Sequence, residues 1–188
     1  MIRRLETERL VLRPWEERDR DLFFEINSDP QVMEFFHFRR DREQSDAFFD
    51  ELLGRQAERV TFPAAELRET GECIGFCGLH DGDVEPVFPP GTIEVGWRLA
   101  TRHWGNGFAT EGALASIDFG FTELALPEII SFAVHDNRRS TAVMERIGLK
   151  RDPAHDFDHP KIPDTHPHLK RHVCYRITAG EWATKKGG

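Results

Sequence analysis

The feature that most restricts the fold of this chain is a pair of glycines between a strand-like run and a helix-like run. Residues 102–111 read RHWGNGFATE and follow the alternating run TIEVGWRLA. The dinucleotide-binding fingerprint needs a third glycine where Thr110 stands, and the P-loop needs a Gly-Lys-Ser or Gly-Lys-Thr that the chain lacks. The pattern that remains is Arg102-x-x-Gly105-x-Gly107 at a helix start, where main-chain N–H groups and the helix dipole can converge on one anion. The alternative interpretation is a plain turn with left-handed glycines.

The N-terminal half shows strand and helix patterns in turn. Residues 5–13 are predicted to form one strand that ends at Pro14, and a helix is expected over EERDRDLFFEIN. The pair Asp29-Pro30 is typical of a helix N-terminus and predicts a short helix through QVMEFF. A longer helix is expected over residues 41–59. The stripe of the first helix consists of Leu22, Phe23 and Ile26.

The middle of the chain has the period of strands. RVTFPAAEL and ECIGFCGL flank the turn signal Glu69-Thr70-Gly71, which predicts an antiparallel hairpin, and Pro63 indicates an exposed edge or a bulge. The next strand is TIEVGWRL. Its parity places Glu94 on one face with Gly96 and Arg98, opposite Ile93, Val95 and Trp97.

The C-terminal half returns to helices. A helix is expected from about 106 to 124, a strand at EIISFAV, and a second helix capped by Asn137 and ended by Gly148. The last strands are predicted at LKRDPAHDF and RHVCYRIT, followed by a short turn and a frayed tail at EWATKKGG. The core stripe expected for the first of these helices is Phe108, Ala113, Ile117, Phe121 and Leu124.

This order predicts an α/β fold (mixed α+β) with a central mixed sheet of about six or seven strands and helices on both faces. With 188 residues, of which 39% are hydrophobic, the chain is expected to form one domain over residues 1–180 and a mobile tail over 181–188.

Charge and composition exclude several classes of function. The net charge of −8 argues against general binding of nucleic acid. The chain has no signal-like segment and no long apolar run, so we expect a cytoplasmic protein without a membrane partner. The three cysteines, Cys73, Cys77 and Cys174, cannot all pair, and Cys73 and Cys77 are too far apart in a strand to bond to each other. No disulfide framework is therefore implied.

The run IEVGWRLATRHWGNGFATEG resembles the core of the GCN5-related N-acetyltransferases (GNAT), and the later segment from Asn137 to Leu149 resembles the part that lines the pantetheine arm of coenzyme A. LETERLVLRPW and GECIGFCGL are similar to the branch of the ribosomal-protein N-acetyltransferases RimJ and RimL. The resemblance covers about residues 5–178. It implies a GNAT-like, mostly antiparallel sheet and the transfer of an acetyl group from acetyl-CoA to a primary amine.

The resemblance also implies a cofactor-binding set, in which Arg102, Gly105 and Gly107 match the loop that grips the pyrophosphate. Arg138 and Arg139 are candidates for the distal phosphate, and Arg98 and Arg102 are expected to cluster with them around the two helix starts. Trp97 and Trp104 are candidates for a wall beside the cofactor, or simply core residues. The predicted cofactor-binding residues are Val95, Gly96, Trp97, Arg102, Gly105, Asn106, Gly107, Phe108, Ala109, Asn137, Arg138 and Ser140.

The predicted catalytic residues are Glu94 and Ser140. An ammonium must lose a proton before it attacks a thioester, so a base is needed, and Glu94 is the first candidate. The family's oxyanion site, a bulged strand, would fall near Gly96. Many relatives have a tyrosine as general acid where this chain has Met144, and the one tyrosine is Tyr175. Ser140 is a candidate to bind the sulfur or the pantetheine amide, or else only to complete the helix N-terminus.

The loop HDFDHPKIPDTHPHLKRH contains five histidines, but no spacing that fixes a metal geometry, so no metal is predicted. It is expected near the acceptor entrance or as a solvated loop. The expected partners are acetyl-CoA and an amine acceptor, either a protein N-terminus or a small molecule, and a homodimer is left open. A non-catalytic acyl-CoA sensor is the alternative function, and a metal-binding protein that uses the histidine loop is a weaker alternative.

Overall fold

The computed structural model describes residues 4–55, 61–82 and 84–187 of the chain. Its strands are β1 Leu5–Glu6, β2 Leu10–Arg13, β3 Ala64–Leu67, β4 Cys73–Asp81, β5 Ile93–Leu99, β6 Glu128–Val134, β7 Lys150–Arg151, β8 Phe157–Asp158 and β9 Arg171–Thr178. Its helices are α1 Arg20–Ser28, α2 Arg42–Arg55, α3 Phe108–Thr122, α4 Arg138–Ile147 and α5 Ala179–Gly187.

All of these strands belong to one sheet, in the order β1-β2-β3-β4-β5-β6-β9-β7, with β8 also paired to β9. Every pair is antiparallel except β5–β6, which is parallel. The mixed, mostly antiparallel α/β architecture is therefore as predicted. The strand number is nine rather than six or seven, because β1, β7 and β8 are segments of two residues.

Helices pack on both faces of the sheet through apolar side chains. On one face, the main core includes residues of α3, α4 and α5, such as Ile117, Met144 and Trp182. On the other face, α1 and α2 pack with Trp15 and Phe76 around a second cluster. Helices thus cover both faces, as the sequence predicted.

The alternation in β5 assigns its side chains to these faces. Val95 is fully buried and packs with Ala113 and Ile117 of α3. Arg98, on the opposite face, donates a hydrogen bond to Asn27 of α1. The predicted parity of Glu94, Gly96 and Arg98 is confirmed.

A buried ion cluster joins the start of the chain to β3. The guanidinium of Arg13 donates to both oxygens of Asp19, at 2.7 and 2.8 Å, and to Glu66 at 2.7 Å. Arg13 and Asp19 are 3% and 2% exposed. The cluster fixes the segment that leads from β2 into α1.

Two expectations for the N-terminal half are wrong. Residues 5–13 are not one strand, because Thr7 forms a tight turn with Leu10 through main-chain and hydroxyl hydrogen bonds, and β1 folds back on β2. The segment QVMEFF forms turns, not a helix. The carboxylate of Asp29 accepts the N–H of Gln31 at 2.7 Å, which stabilises a local turn instead.

The hairpin at Glu69-Thr70-Gly71 is confirmed, with Gly71 at φ 72°. β3 lies between β2 and β4, so it is not an edge, whereas the alternative, a bulge in this strand, is confirmed by the register shift at Ala65/Glu66. Residues 56–60, which include the end of the expected helix 41–59 and the start of RVTFPAAEL, lie outside the described residues.

In the C-terminal half, β6, α4 and β9 match the prediction, whereas LKRDPAHDF contains only the short β7 and β8. Leu124 lies beyond the end of α3 and is exposed. The expected turn at EWATKKGG is instead helix α5, which buries Trp182 against the core, so the expected domain limit at residue 180 falls inside a helix. None of the described helices has the length and apolarity needed to cross a bilayer.

Candidate active site

The parallel strands β5 and β6 separate soon after they meet. In the described chain they share one register position, Glu94 opposite Ile130. Beyond it, β5 continues against β4 to Leu99, and β6 continues against β9 to Val134. Among the described residues no β5–β6 pairing is found beyond this position, so the β5 main chain there has no strand partner on the β6 side, and we call the gap between the two strands the cleft.

The helices that follow the two strands begin at the mouth of this cleft. α3 begins after Gly107 and α4 after Asn137. The loop before α3 contacts the first turn of α4, because the guanidinium of Arg139 lies 4.6 Å from the ring centre of Trp104. Each helix N-terminus carries a partial positive charge, which favours an anion beside it.

The main-chain N–H groups of the glycine loop, residues 105–109, are available to bind an anion, and we call this segment the anion seat. Gly105 and Gly107 have φ of 79° and 80°, the left-handed conformation that glycine adopts without strain. Among the described residues, no acceptor is recorded for the main-chain N–H groups of residues 105–109. A run of unpaired donors at a helix N-terminus is the arrangement that binds phosphate groups.

Arg9 supports this loop, and sequence reasoning missed it. Its guanidinium donates to the carbonyl of Asn106 at 2.9 Å and to Glu111 at 2.7 Å, and it lies over the ring of Phe108. The hydroxyl of Thr7 also donates to Glu111. The β1–β2 turn is thereby tied to the first turn of α3, a link across about a hundred residues that no local pattern reveals.

The four arginines expected around the helix starts do not form one cluster. Arg102 binds the carboxylates of Glu25 and Glu72, so its charge is compensated within the protein. Arg138 is exposed beside the α4 start, and Arg139 pairs with Glu34. Arg98 lies on the α1 side of the sheet instead, because the parity of β5 directs it there.

Glu94 lies where the two strands begin to separate. Its strand neighbour on β4 is His80, and the ring of Phe62 stacks on His80 at 4.5 Å. A Cβ built on Gly96 would lie 3.5 Å from Oε1 of Glu94, so the carboxyl group extends along β5. Burial raises the pKa of Glu94 to about 8.

The expected bulge in β5 is not present. The register with β4 runs without a shift from Ile93 to Leu99, and Gly96 faces Gly78. The ring of Phe62 covers Gly96, at 2.8 Å from the position of an added Cβ. Access to the main chain of β5 comes from the separation of β6, and not from a bulge.

Comparison with known proteins agrees with this geometry. Residues 9–150, three quarters of the chain, match the model of the acetyltransferase (GNAT) domain. The chain belongs to the GNAT family of acetyltransferases. It is 32% identical over 154 residues to the uncharacterized N-acetyltransferase p20 of Bacillus licheniformis, an alignment that covers 79% of this chain and 83% of that protein.

Solved structures have the same fold. A GNAT-family acetyltransferase from Bacillus anthracis superposes with a TM-score of 0.79 at 26% identity and covers 95% of this chain and all of that one. The ribosomal-protein-S5-alanine acetyltransferase of Vibrio fischeri has a TM-score of 0.73 at 14% identity, covering 96% of this chain and 99% of that one. The second match concerns the fold alone.

In this acetyltransferase, the start of α4 has one side chain that caps and one that is available. The Oδ1 of Asn137 accepts the N–H of Ser140 at 3.1 Å, which confirms the predicted cap. No partner of the Ser140 hydroxyl is recorded among the described residues. Met144 is 1% exposed in the core, and Tyr175 donates to Glu145 at 3.1 Å. Burial and Glu145 raise the pKa of Tyr175, which makes it a weaker acid.

The remaining residues predicted to bind the cofactor lie along the cleft, and their side chains have other roles. Val95 is buried, Trp97 and Phe108 pack against the main core, and the carbonyl of Ala109 accepts a weak hydrogen bond from Cys77. Only the main chain of these residues, or one edge of a ring, remains for a ligand.

The histidine loop of the acetyltransferase is partly buried. The rings of His159 and His172 lie 5.0 Å apart beside Phe157. Burial lowers the pKa of His159 to about 4 and also lowers that of His172. Across the described residues, no group of three or more metal-ligating side chains is found. The loop approaches the segment after α1, where His37 lies 6.1 Å from His166.

Proposed function

We propose that this acetyltransferase transfers the acetyl group of acetyl-CoA to a primary amine by direct attack. The observation that carries the proposal is the glycine loop at the mouth of the β5–β6 cleft, with its unpaired N–H groups. The cleft matches the needs of the donor substrate, because an elongated chain with amide groups can take the place of the missing strand contacts. The diphosphate would lie on residues 105–109, and the exposed Arg138 beside the α4 start would bind a further phosphate.

Glu94 is the proposed general base. In its ionised form it takes a proton from the acceptor ammonium, and the neutral nitrogen attacks the thioester carbonyl. The carbon–nitrogen bond forms, the carbon–sulfur bond breaks, and the thiolate takes the second proton of the nitrogen. Main-chain N–H groups of β5 that point into the cleft would bind the transient oxyanion.

No tyrosine is placed to protonate the leaving sulfur. Ser140 is the proposed partner of the sulfur or of the pantetheine amide, because its hydroxyl is available beside the α4 start. A thiol with a pKa of about 8.5 leaves without a dedicated acid. The acceptor class extends from a protein N-terminus to a small-molecule amine.

Burial of Met144 and the bond between Tyr175 and Glu145 favour a second candidate, an acyl-CoA sensor without turnover. Thiol release from acetyl-CoA over a panel of amines and peptides separates the two. Release that depends on the acceptor establishes the transferase. Tight binding without release on every acceptor establishes the sensor.

The anion seat is tested by Gly107→Val, which adds a side chain where phosphate would approach. The matched control is Gly71→Val, since Gly71 has φ 72° against 80°, and a built Cβ meets nothing within 4 Å at Gly71 and only Nη2 of Arg9, at 3.5 Å, at Gly107. Each change should cost about 1–2 kcal/mol of stability from the left-handed backbone. By calorimetry, Gly107→Val should weaken acetyl-CoA binding at least about tenfold, and Gly71→Val should not. Equal affinities in the two variants would remove the loop from the proposal.

A further inference from the structure

Two arginines on the α1 side of the sheet share one neutral partner. The Nη1 atom of Arg98 donates to Oδ1 of Asn27 at 2.7 Å, and Nη1 of Arg40 lies 3.4 Å from the same oxygen. Asn27 is fully buried, and its Nδ2 donates to the carbonyl of Phe23 at 2.7 Å. The amide is therefore fixed with its oxygen toward both guanidinium groups.

Neither arginine of this pair has a carboxylate partner among the described residues. Other arginines of the same region do, since Arg42 binds Asp21 and Asp46, and Arg102 binds Glu25 and Glu72. Burial, and then the charge of Arg40, lowers the pKa of Arg98 to about 10, and burial lowers that of Arg40. Two like charges held close together in a half-buried place are costly unless an anion joins them.

Aromatic rings form the walls of this place. The guanidinium of Arg98 lies 4.4 Å from the ring centre of Phe36, and that of Arg40 lies 4.7 and 4.3 Å from Phe38 and Phe48. All three rings are exposed large hydrophobic side chains, between 37% and 39% exposed. The rings favour the cations, but they do not neutralise them. Arg40 and Arg98 are both partly buried.

The pair lies on the same face of β5 as the proposed base. Arg98 and Glu94 are separated by four residues, which is about 13 Å between their Cα atoms in a strand. Gly96 stands between them, and the ring of Phe62 covers it. Because Phe62 is only partly buried, a molecule that runs over the outer side of its ring would reach both groups.

We propose that Arg98 and Arg40 bind an oxyanion of the acceptor, so that the preferred substrate is a primary amine with a carboxylate or phosphate several bonds from the nitrogen. This inference rests on the proposed function and names its substrate class. The nitrogen would lie at Glu94 and the anionic group between the two guanidinium forks, whose planar donors match a carboxylate or a phosphate. Both a short acidic peptide and a small ω-amino acid have this chemistry.

Matched acceptor pairs test the proposal at saturating acetyl-CoA. Each pair consists of an amine with a carboxylate and the same amine with a carboxamide, in a peptide series and a small-molecule series, and a phosphate analogue forms a third arm. The wild type should favour the anionic member by about tenfold or more in kcat/KM. Arg98→Gln and Arg40→Gln should each lose most of that preference through KM, while the carboxamide rates stay within about twofold.

Arg42→Gln is the control, because Arg42 is exposed and already bound to two carboxylates. Its preference should equal that of the wild type. If the wild type acetylates carboxylate and carboxamide members equally, this inference is wrong and the transferase proposal survives. If no amine is acetylated, the transferase itself is wrong. If Arg98→Gln loses its circular dichroism signal, the variant is unfolded. Arg40→Gln alone then shows whether the preference for the anionic acceptor depends on the arginine pair.

Discussion

At the scale of single residues, the most consequential group is the carboxyl of Glu94. A base must be ionised to act, and burial in the cleft shifts its pKa toward the range where amines begin to lose protons. The same shift has a cost in stability. Between the ordinary carboxyl pKa and about 8 the folded chain keeps a proton that the unfolded chain has lost, so this group's contribution to stability falls as pH rises through that window.

The pH profile of kcat/KM should report this ionisation. The wild-type rate should rise as pH increases through about 8, because the fraction of ionised Glu94 increases. Glu94→Gln should reduce kcat/KM by about 100-fold or more and remove that limb of the profile, while the Kd for acetyl-CoA is unchanged. Stopped-flow thiol detection from pH 6 to 9.5 measures both. If kcat/KM of Glu94→Gln still rises with pH through this range, the ionisation belongs to another group.

At the scale of elements, helix α5 completes the main core. Trp182 is 7% exposed, its indole N–H donates to Asp118 of α3 at 3.1 Å, and Lys185 donates to the carbonyl of Ile147 at the end of α4. The last helix therefore holds together the two helices whose first turns line the cleft.

Removal of the indole should destabilise the whole domain. Trp182→Ala should lower the free energy of unfolding by about 3 kcal/mol, since it leaves a cavity in the core. Thr184→Ala changes an exposed position of the same helix and should stay within about 0.5 kcal/mol. Urea unfolding followed by fluorescence and circular dichroism gives both values. A small effect of Trp182→Ala would mean that α5 is dispensable to the core.

Elements with clear periods and caps could be predicted from the sequence, as α4 shows with Asn137 before it and Gly148 after it. The missed elements depend on contacts that lie far away in sequence. The local sequence pattern of α5 is weak, and the helix is stabilised by the packing of Trp182 in the main core. The short strands β7 and β8 form because they pair with β9. The candidate site divides in the same way. The glycine loop is a local pattern, whereas Asn27, Arg40 and Arg98 meet only in the folded chain.

At the scale of the whole molecule, the buried ion cluster around Arg13 connects acid stability to the fold. Burial alone would raise the pKa of Asp19, but hydrogen bonds from Arg13 and from the N–H of Glu16 outweigh it, and the pKa is lowered. A lowered carboxyl pKa contributes stability above the ordinary value, and that contribution is lost as pH falls through the folded value.

Asp19→Asn should therefore reduce stability at neutral pH by about 3 kcal/mol, because it leaves the buried Arg13 hydrogen-bonded to one carboxylate only, that of Glu66. The variant should also show a shallower loss of stability below pH 4 than the wild type. Asp21→Asn is the control, since the side chain of Asp21 is 87% exposed, and it should change stability by under about 0.5 kcal/mol. Chemical unfolding at a series of pH values measures both effects. Equal acid sensitivity of Asp19→Asn and the wild type would exclude Asp19 as the responsible group.

The single register position between β5 and β6 has a mechanical consequence. The sheet is nearly interrupted there, so its two halves, β1–β5 and β6–β9, are joined mainly through the packing of α3 and α4 below them. A thioester donor bound in the gap would contact both halves and take the place of the missing hydrogen bonds between β5 and β6. Binding of the donor would then stabilise the domain, and without it the two halves of the sheet would move more freely relative to each other.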